Sequence, residues 1–385
     1  MIVTHLTLSD FRNYTALDVA LAPGANLFVG SNGQGKTNLV EALGYLSTLG
    51  SHRVSSDQAM IRQGQNTAII RARLAHDGRE LLAEVELNRS TPNRAQVNRS
   101  PIKTRELPRY FSSVLFAPED LALVRGEPSG RRRFMDELLV LRAPRMSGVI
   151  SDYDRVLRQR NTLLKSARAS GVKENQLGTL EIWDDRLVSL GTELIRSRAQ
   201  LVSELTPEVA KSYAAIAGED HAATLRTQLS ILASNPEAED EEAATVAEVP
   251  SIESVADSFK NSLARLRRAE LDRGVTLAGP HRDDLVLGLN GMPARGYASH
   301  GESWSFALAL KLASAAVLRR ESSSGDPVLV LDDVFAELDE SRRSRLGSAV
   351  ADFEQVLITA AVFDDVPAEL ATHVVRIRAG EIVDS

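Results

Sequence analysis

The chain has 385 residues, 43% of them hydrophobic, which is enough to bury more than one core, so two domains are expected. It contains no cysteine, which excludes disulfides, thiolate metal sites and cysteine nucleophiles. The formal net charge of -7 is unevenly placed: seven acids and no Lys or Arg lie between Ser234 and Glu253, leaving the rest of the chain neutral.

In chain order, Met1 to Asp10 alternates apolar and polar like a strand and carries no basic leader. Nothing later approaches the run of about eighteen apolar residues that a membrane span needs, so the expectation is a soluble, cytoplasmic protein with no membrane partner. Short strands are predicted over Ile2–Leu8, Ala16–Leu21, Asn26–Val29, Thr67–Leu74 and Leu81–Leu87, together forming a mixed sheet. Between Asn88 and Arg109 lie six basic residues against one acid, a candidate cationic patch. The period turns helical over Asp152–Arg168, which stops near Gly171, and again from Leu180 to Leu205. Thr206-Pro207 then reads as the start of another helix. The acidic stretch after Ser234 lacks periodicity and reads as a disordered loop, and helical pattern resumes over Ile252–Leu271. Strand signals return after Gly279 and end in two unbroken apolar runs, Val328–Leu331 and Val356–Thr359, each suited to a buried parallel strand. The chain therefore reads as an α/β domain that is interrupted by a helical lobe and then completed.

Two motifs carry chemistry. Gly30-Ser31-Asn32-Gly33-Gln34-Gly35-Lys36-Thr37 matches a P-loop, follows the strand Asn26–Val29 and opens a helical run from Asn38 to Leu46. Glycines let backbone N–H groups turn toward phosphate oxygens, Lys36 supplies a charge for the β- and γ-phosphates, and the Thr37 hydroxyl can ligate Mg²⁺. ATP with Mg²⁺ is the ligand this pattern calls for, with Gly30 through Asn38 as its binding residues. The apolar strand ending in Asp332-Asp333 would supply the rest: Asp332 for the metal ion, and Asp333 to orient or deprotonate the attacking water.

Roughly 300 residues separate the two motifs, a spacing that resembles ATPase heads of the ABC and SMC kind, discontinuous in sequence and interrupted by a helical insertion. Ser299-His300-Gly301-Glu302 resembles the signature loop of such heads, and Ala336-Glu337-Leu338-Asp339 resembles their D-loop. Asp10-Phe11-Arg12-Asn13-Tyr14 resembles the N-terminal turn whose arginine reaches nucleotide phosphates. Pro118-Glu119-Asp120-Leu121 with the block ending Arg131-Arg132-Arg133-Phe134-Met135-Asp136, then Gly279-Pro280-His281-Arg282-Asp283-Asp284, and Leu331 to Asp339, are together similar to the RecF family.

That resemblance implies an α/β P-loop head with residues 1–135 and 272–385 as its two parts, and 136–271 as a mainly helical lobe. It implies an ATP-driven homodimer in which Ser299, Gly301, Glu302 and Asp339 of one copy face the nucleotide held by the other, with Arg12 as phosphate clamp. It also implies binding to DNA gaps and single-strand/double-strand junctions, and work with RecO and RecR to place RecA. The basic residues expected to meet DNA first are Arg94, Arg99, Lys103 and Arg105, with Arg131–Arg133 and Arg265, Arg267 and Arg268 as further candidates. Lys36, Asp333 and Glu119 are the candidate catalytic residues. His300 replaces a signature glycine, Asp333 stands at the base position, Thr359-Ala360 stands where a switch histidine is usual, and Pro118-Glu119 stands where a Q-loop glutamine is usual. Slow hydrolysis is therefore expected. A second reading is another SMC-like head in repair or chromosome organisation, against which Asp152–Leu271 is too short for a long coiled coil. A third, the ATPase subunit of a transporter, would be expected to keep the switch histidine.

Overall fold

The computed structural model describes residues 1–171, 178–218, 221–234, 245–246, 248–322 and 324–383. Glu237, Glu239, Asp240, Glu241 and Glu242, the heart of the acidic stretch, lie outside them. The chain folds into two units, the first comprising Met1–Val124, Glu208–Ala222 and Ala298–Ser385, the second Arg125–Pro207 and Ala223–Tyr297.

The first unit opens with the hairpin β1 (Ile2–Phe11) and β2 (Tyr14–Ala20), then β3 (Gly24–Val29) and helix α1 (Lys36–Thr48). Strands β4 (Thr67–His76), β5 (Arg79–Asn88), β6 (Arg94–Val97), β7 (Ser100–Ile102) and β8 (Ser113–Phe116) follow, and then the short helix α2 (Leu121–Arg125). After α3 (Pro128–Arg142), α4 (Met146–Ser170), α5 (Gly178–Ala217), β9 (Ala223–Gln228), β10 (Thr245–Val246), α6 (Ile252–Arg273), β11 (Asp284–Leu289), β12 (Met292–Pro293) and the kinked turn α7 (Ala294–Tyr297), the chain completes the first unit. It does so with α8 (His300–Glu321), β13 (Val328–Asp332), α9 (Glu340–Val350), β14 (Gln355–Ala360), β15 (His373–Arg378) and β16 (Glu381–Val383).

Burial pattern sorts these strands into sheets. In β1, β2, β4 and β5 buried and less buried residues largely alternate, as in strands covered on one face, and they join β6 and β7 in an antiparallel sheet of order β2-β1-β4-β5-β6-β7. In β13 and β14 every residue is buried, and in β3 all but the first. These three strands run parallel with β8 and β15 in the order β16-β15-β3-β14-β13-β8, β16 being the antiparallel edge. The predicted mixed sheet is thus two sheets, because β3 lacks the alternation of its neighbours. Between them one continuous core forms, with Leu6, Ile70 and Val85 from one sheet, Phe28, Val330 and Leu357 from the other, and Leu39 and Leu43 of α1.

In the second unit β10-β9-β11-β12 form a small antiparallel sheet beside α3, α4, the first part of α5, and α6. Residues 272–297, grouped with the head in the sequence reading, fall in this unit because β11 pairs with β9 from Asp284↔Gln228 to Leu289↔Ala223. Its helices are tied by buried charge. Arg160 of α4, 0% exposed, donates to Asp184 of α5 (2.7 Å), to Glu270 of α6 (2.6 Å) and to the Thr276 hydroxyl (2.8 Å). The expected break at Thr206-Pro207 does not occur; Pro207 lies inside α5, and the Thr206 hydroxyl donates to the Val202 carbonyl one turn back at 2.7 Å instead of capping a new helix.

Candidate functional site

Parallel strands present loops at their carboxyl ends, where such sheets bind ligands. The P-loop follows β3, Asp332 ends β13, and Thr359-Ala360 ends β14, the strand between them. Gly33 and Gly35 have φ of 81° and 116°, and a Cβ on Gly35 would lie 2.8 Å from both the Asn13 amide nitrogen and the Tyr14 hydroxyl, so only glycine fits there. The Tyr14 hydroxyl donates to the Gly35 carbonyl (3.0 Å) and the Asn13 amide to that of Gln34 (3.2 Å), fastening the turn Phe11–Tyr14 to the loop. No side chain caps α1 and no acid sits in its first turn, which leaves its positive end free to receive an anion. The Lys36 ammonium lies across the loop, donating to the carbonyls of Gly30 (2.7 Å) and Ser31 (3.3 Å), so one of its three N–H donors remains.

The Thr37 hydroxyl donates to Asp332 Oδ1 at 3.1 Å across 295 positions of sequence. The Thr359 hydroxyl donates to the same oxygen at 2.6 Å and accepts the Asp333 N–H at 3.0 Å, so one threonine holds both acids. Asp333 has a φ of 54°, and its Oδ1 is buried without a partner. Burial pushes the Asp332 carboxyl up to about 6; the two threonine hydroxyls oppose this, while the charges of Asp333 and Glu119 add to it. Glu119 sits in the turn Pro118–Asp120 just after β8 and so belongs to the same acidic neighbourhood. Beside the P-loop a cleft of about 520 Å³ is lined by Arg12, Asn13, Asn38, Arg53, Gln58 and Arg89 among others. Arg12 reaches it with part of its guanidinium already bonded, to Glu41 of α1 (Nε 2.8 Å) and to the Ala59 carbonyl (2.9 Å).

Ser299, Gly301 and Glu302 form the start of α8, where the Ser299 hydroxyl accepts the Glu302 N–H (3.3 Å) and Glu302 accepts the Ser299 N–H (2.7 Å), a reciprocal capping box. Asp339 caps α9 by accepting the Arg342 N–H at 2.9 Å. The Arg342 guanidinium lies 3.6 Å from Asp339 and packs on Gly301, where a Cβ would come within 2.7 Å of it. The signature-like and D-loop-like segments therefore meet at Arg342, while the hydrogen bonds of Ser299 and Glu302 are made within α8 and not to the P-loop.

The chain matches the RecF/RecN/SMC N terminal domain model over residues 2–381. It is 67% identical to the DNA replication and repair protein RecF of Clavibacter michiganensis subsp. michiganensis, covering 100% of this chain and 96% of that one. It belongs to the RecF family. A second RecF relative, from Leifsonia xyli subsp. xyli, is 65% identical over 100% of both chains. Among solved structures, the recombination mediator protein RecF-ATPrS of the RecFOR pathway superposes with a TM-score of 0.87 at 27% identity, covering 99% of this chain and 97% of that one. An Smc head bound to the C-winged helix domain of ScpA gives 0.55 at 14% identity, with 100% and 97% covered, a likeness of fold. The RecF-family fold is thus an SMC-type α/β head, discontinuous in sequence, with an inserted, mainly helical lobe.

Within this RecF-family chain the structure brings Lys36, Thr37, Asp332, Asp333 and Glu119 to one end of the parallel sheet, with Arg12 at the adjoining cleft. Arg94, Arg99, Lys103 and Arg105 are all exposed on or beside the β6–β7 hairpin, whose turn Asn98-Arg99 has positive φ at both positions. Other basic candidates are otherwise engaged: Arg131 with Asp284, Arg133 with Glu137, Arg267 with Asp184, and Arg265 with the carbonyls of Ala233 and Ser234. Sequence reasoning missed Thr359, Glu41, Arg53 and Arg342. Thr359 stands in plain view at the end of its strand, but nothing local in the sequence shows that its hydroxyl reaches Asp332 and Asp333. Among the described residues no helix is long and apolar enough to cross a membrane.

Proposed function

We propose that this protein is a cytoplasmic, ATP-dependent DNA-binding protein of recombinational repair and replication restart. ATP closes two copies on each other, and the dimer engages gapped or junction DNA and, with RecO and RecR, helps load RecA. The observation that carries the reading is the Thr37–Asp332 hydrogen bond, which joins the P-loop helix to the acid strand and assembles both halves of a nucleotide site within one chain. The relatives named RecF and the likeness to a RecF structure with ATP (28% identity, TM-score 0.87) point the same way.

In this reading Gly30 through Asn38 wrap the phosphates with backbone N–H groups, and Lys36 turns its free donor to the β- and γ-oxygens. Thr37 and Asp332 fit a Mg²⁺ ion, because a hydroxyl and a carboxylate already converge and Asp332 is crowded by other negative charge. Among the described residues no group of three or more His, Cys, Asp or Glu could hold a metal, which suits an ion that takes its remaining ligands from phosphates and water. When bound, the ion would neutralise charge on the phosphate oxygens. Asp333 holds a buried, unpartnered oxygen and serves as the base that takes a proton from water, with Glu119 nearby to position it. A short acid here and no switch histidine make turnover slow. Ser299, Gly301, Glu302 and Asp339 meet the partner copy's nucleotide, and Arg94, Arg99, Lys103 and Arg105 meet DNA phosphates.

The test is ATP binding by Lys36→Met, which keeps the stem but removes the charge. Binding should largely fail; parental affinity would overturn the site.

A further inference from the structure

Glu41 lies one turn and a half along α1 from Lys36, and its carboxylate has 0% side-chain exposure. An ionised carboxylate in such a place requires compensation, and three partners from outside α1 supply it. Arg12 grips both oxygens through Nε (2.8 Å) and a terminal nitrogen, the Ser51 hydroxyl donates to one of them, and the Arg53 guanidinium lies 3.8 Å away. Burial pushes the Glu41 carboxyl up, but the hydrogen bonds from Arg12 and Ser51 and the charge of Arg12 outweigh it, leaving the group below its ordinary value and ionised at neutral pH.

The consequence falls on Arg12. Its guanidinium has five N–H donors, of which two go to Glu41 and one to the Ala59 carbonyl. Two remain, on a side chain that is 16% exposed and lines the cleft beside the P-loop. Its backbone is pinned as well, with a φ of 53° and its N–H on the Met60 carbonyl at 2.7 Å. A planar fork fixed along two edges has already lost the rotamer freedom that an arginine must otherwise give up on binding an anion.

We propose that Glu41 is a positioning residue of the nucleotide site, a buried carboxylate on the P-loop helix that holds the Arg12 guanidinium at the cleft so that the nucleotide's phosphates meet a cation fixed in place. This rests on the reading of the cleft as part of an ATP site.

The experiment is a double-mutant cycle on the full chain: ATP affinity with Mg²⁺ for the parent, Glu41→Gln, Arg12→Gln and the pair, with circular dichroism as the check on folding. Glu41→Gln should weaken ATP binding roughly ten- to hundredfold, the worth of a charge-assisted hydrogen bond. In the Arg12→Gln background the same change should cost less than about twofold, because Glu41 acts through Arg12. Parental affinity in Glu41→Gln, or an equal loss in both backgrounds, overturns the proposal while leaving the ATP site intact; a parent that binds no ATP overturns the functional reading and this proposal with it. Should Glu41→Gln not fold, Arg12→Lys keeps the charge but cannot span both carboxylate oxygens and the Ala59 carbonyl, and should show the same ten- to hundredfold loss. An Arg12→Lys chain with parental affinity would contradict the proposal.

Discussion

Asp332→Asn should make the nucleotide-free protein more stable at neutral pH while abolishing the Mg²⁺-dependent ATP hydrolysis proposed above. Asp332 is 2% exposed, and burial, with the charges of Asp333 and Glu119 adding to it, raises its carboxyl from 3.8 to about 6. A raised carboxyl means that the folded chain holds the proton more tightly than the unfolded one, so the stability it contributes is fully present below pH 3.8 and is lost as pH rises through about 6. Each pH unit of such a gap is worth about 1.4 kcal/mol, which sets a ceiling of about 3 kcal/mol at pH 7. Asparagine carries no charge to desolvate and keeps an acceptor for the Thr37 and Thr359 hydroxyls. A gain of about 1–3 kcal/mol at pH 7 follows, shrinking toward zero near pH 4. Urea unfolding of both chains at the two pH values, with chelator present, measures it, and other titrating groups cancel in the difference. A variant less stable than the parent by the same margin at both pH values would refute the electrostatic argument.

Ser299→Arg should bind ATP yet stay monomeric in light scattering, and an ATP-induced dimer of this variant would remove Ser299 from the interface. Asp333→Asn should accumulate the ATP-bound dimer with hydrolysis suppressed, seen as persistent ATP in a single-turnover assay. Neutral replacement of Arg94, Arg99, Lys103 and Arg105 should weaken DNA binding and flatten its salt dependence without altering ATP-driven dimerisation; unchanged affinity and slope would place the DNA path elsewhere. Arg160→Met should cost about 3–5 kcal/mol in urea unfolding, because Glu270 is left as a buried charge without its cation and Asp184 keeps only Arg267.

The chemistry was legible in the sequence where it is local or where a strand carries its own label. Gly30–Thr37 needs only its flanking strand and helix, and the unbroken apolar runs ending at Asp332 and Thr359 mark buried parallel strands wherever they stand in the chain. What could not be read was which strands share a sheet, since β3 differs from β1 and β4 only in lacking alternation, and the grouping of β11 with β9, which depends on pairing between residues far apart in sequence. Pro207 misled because a Thr-Pro pair suits the cap and first position of a new helix, whereas α5 runs on through it with the Thr206 hydroxyl turned back to Val202. Glu41 and Arg342 were hidden for a related reason: a charge on a helix is ordinarily solvated, and only tertiary structure reveals that Arg12 and Gly301 are packed against them.

The central claim is that ATP becomes part of an interface between two copies. Light scattering of the full chain with no nucleotide, with ADP and with ATP, each with and without gapped duplex, tests it most directly. A dimer mass with ATP, favoured further by gapped DNA, and a monomer mass with ADP or without nucleotide are expected, whereas one mass under all conditions would contradict the account.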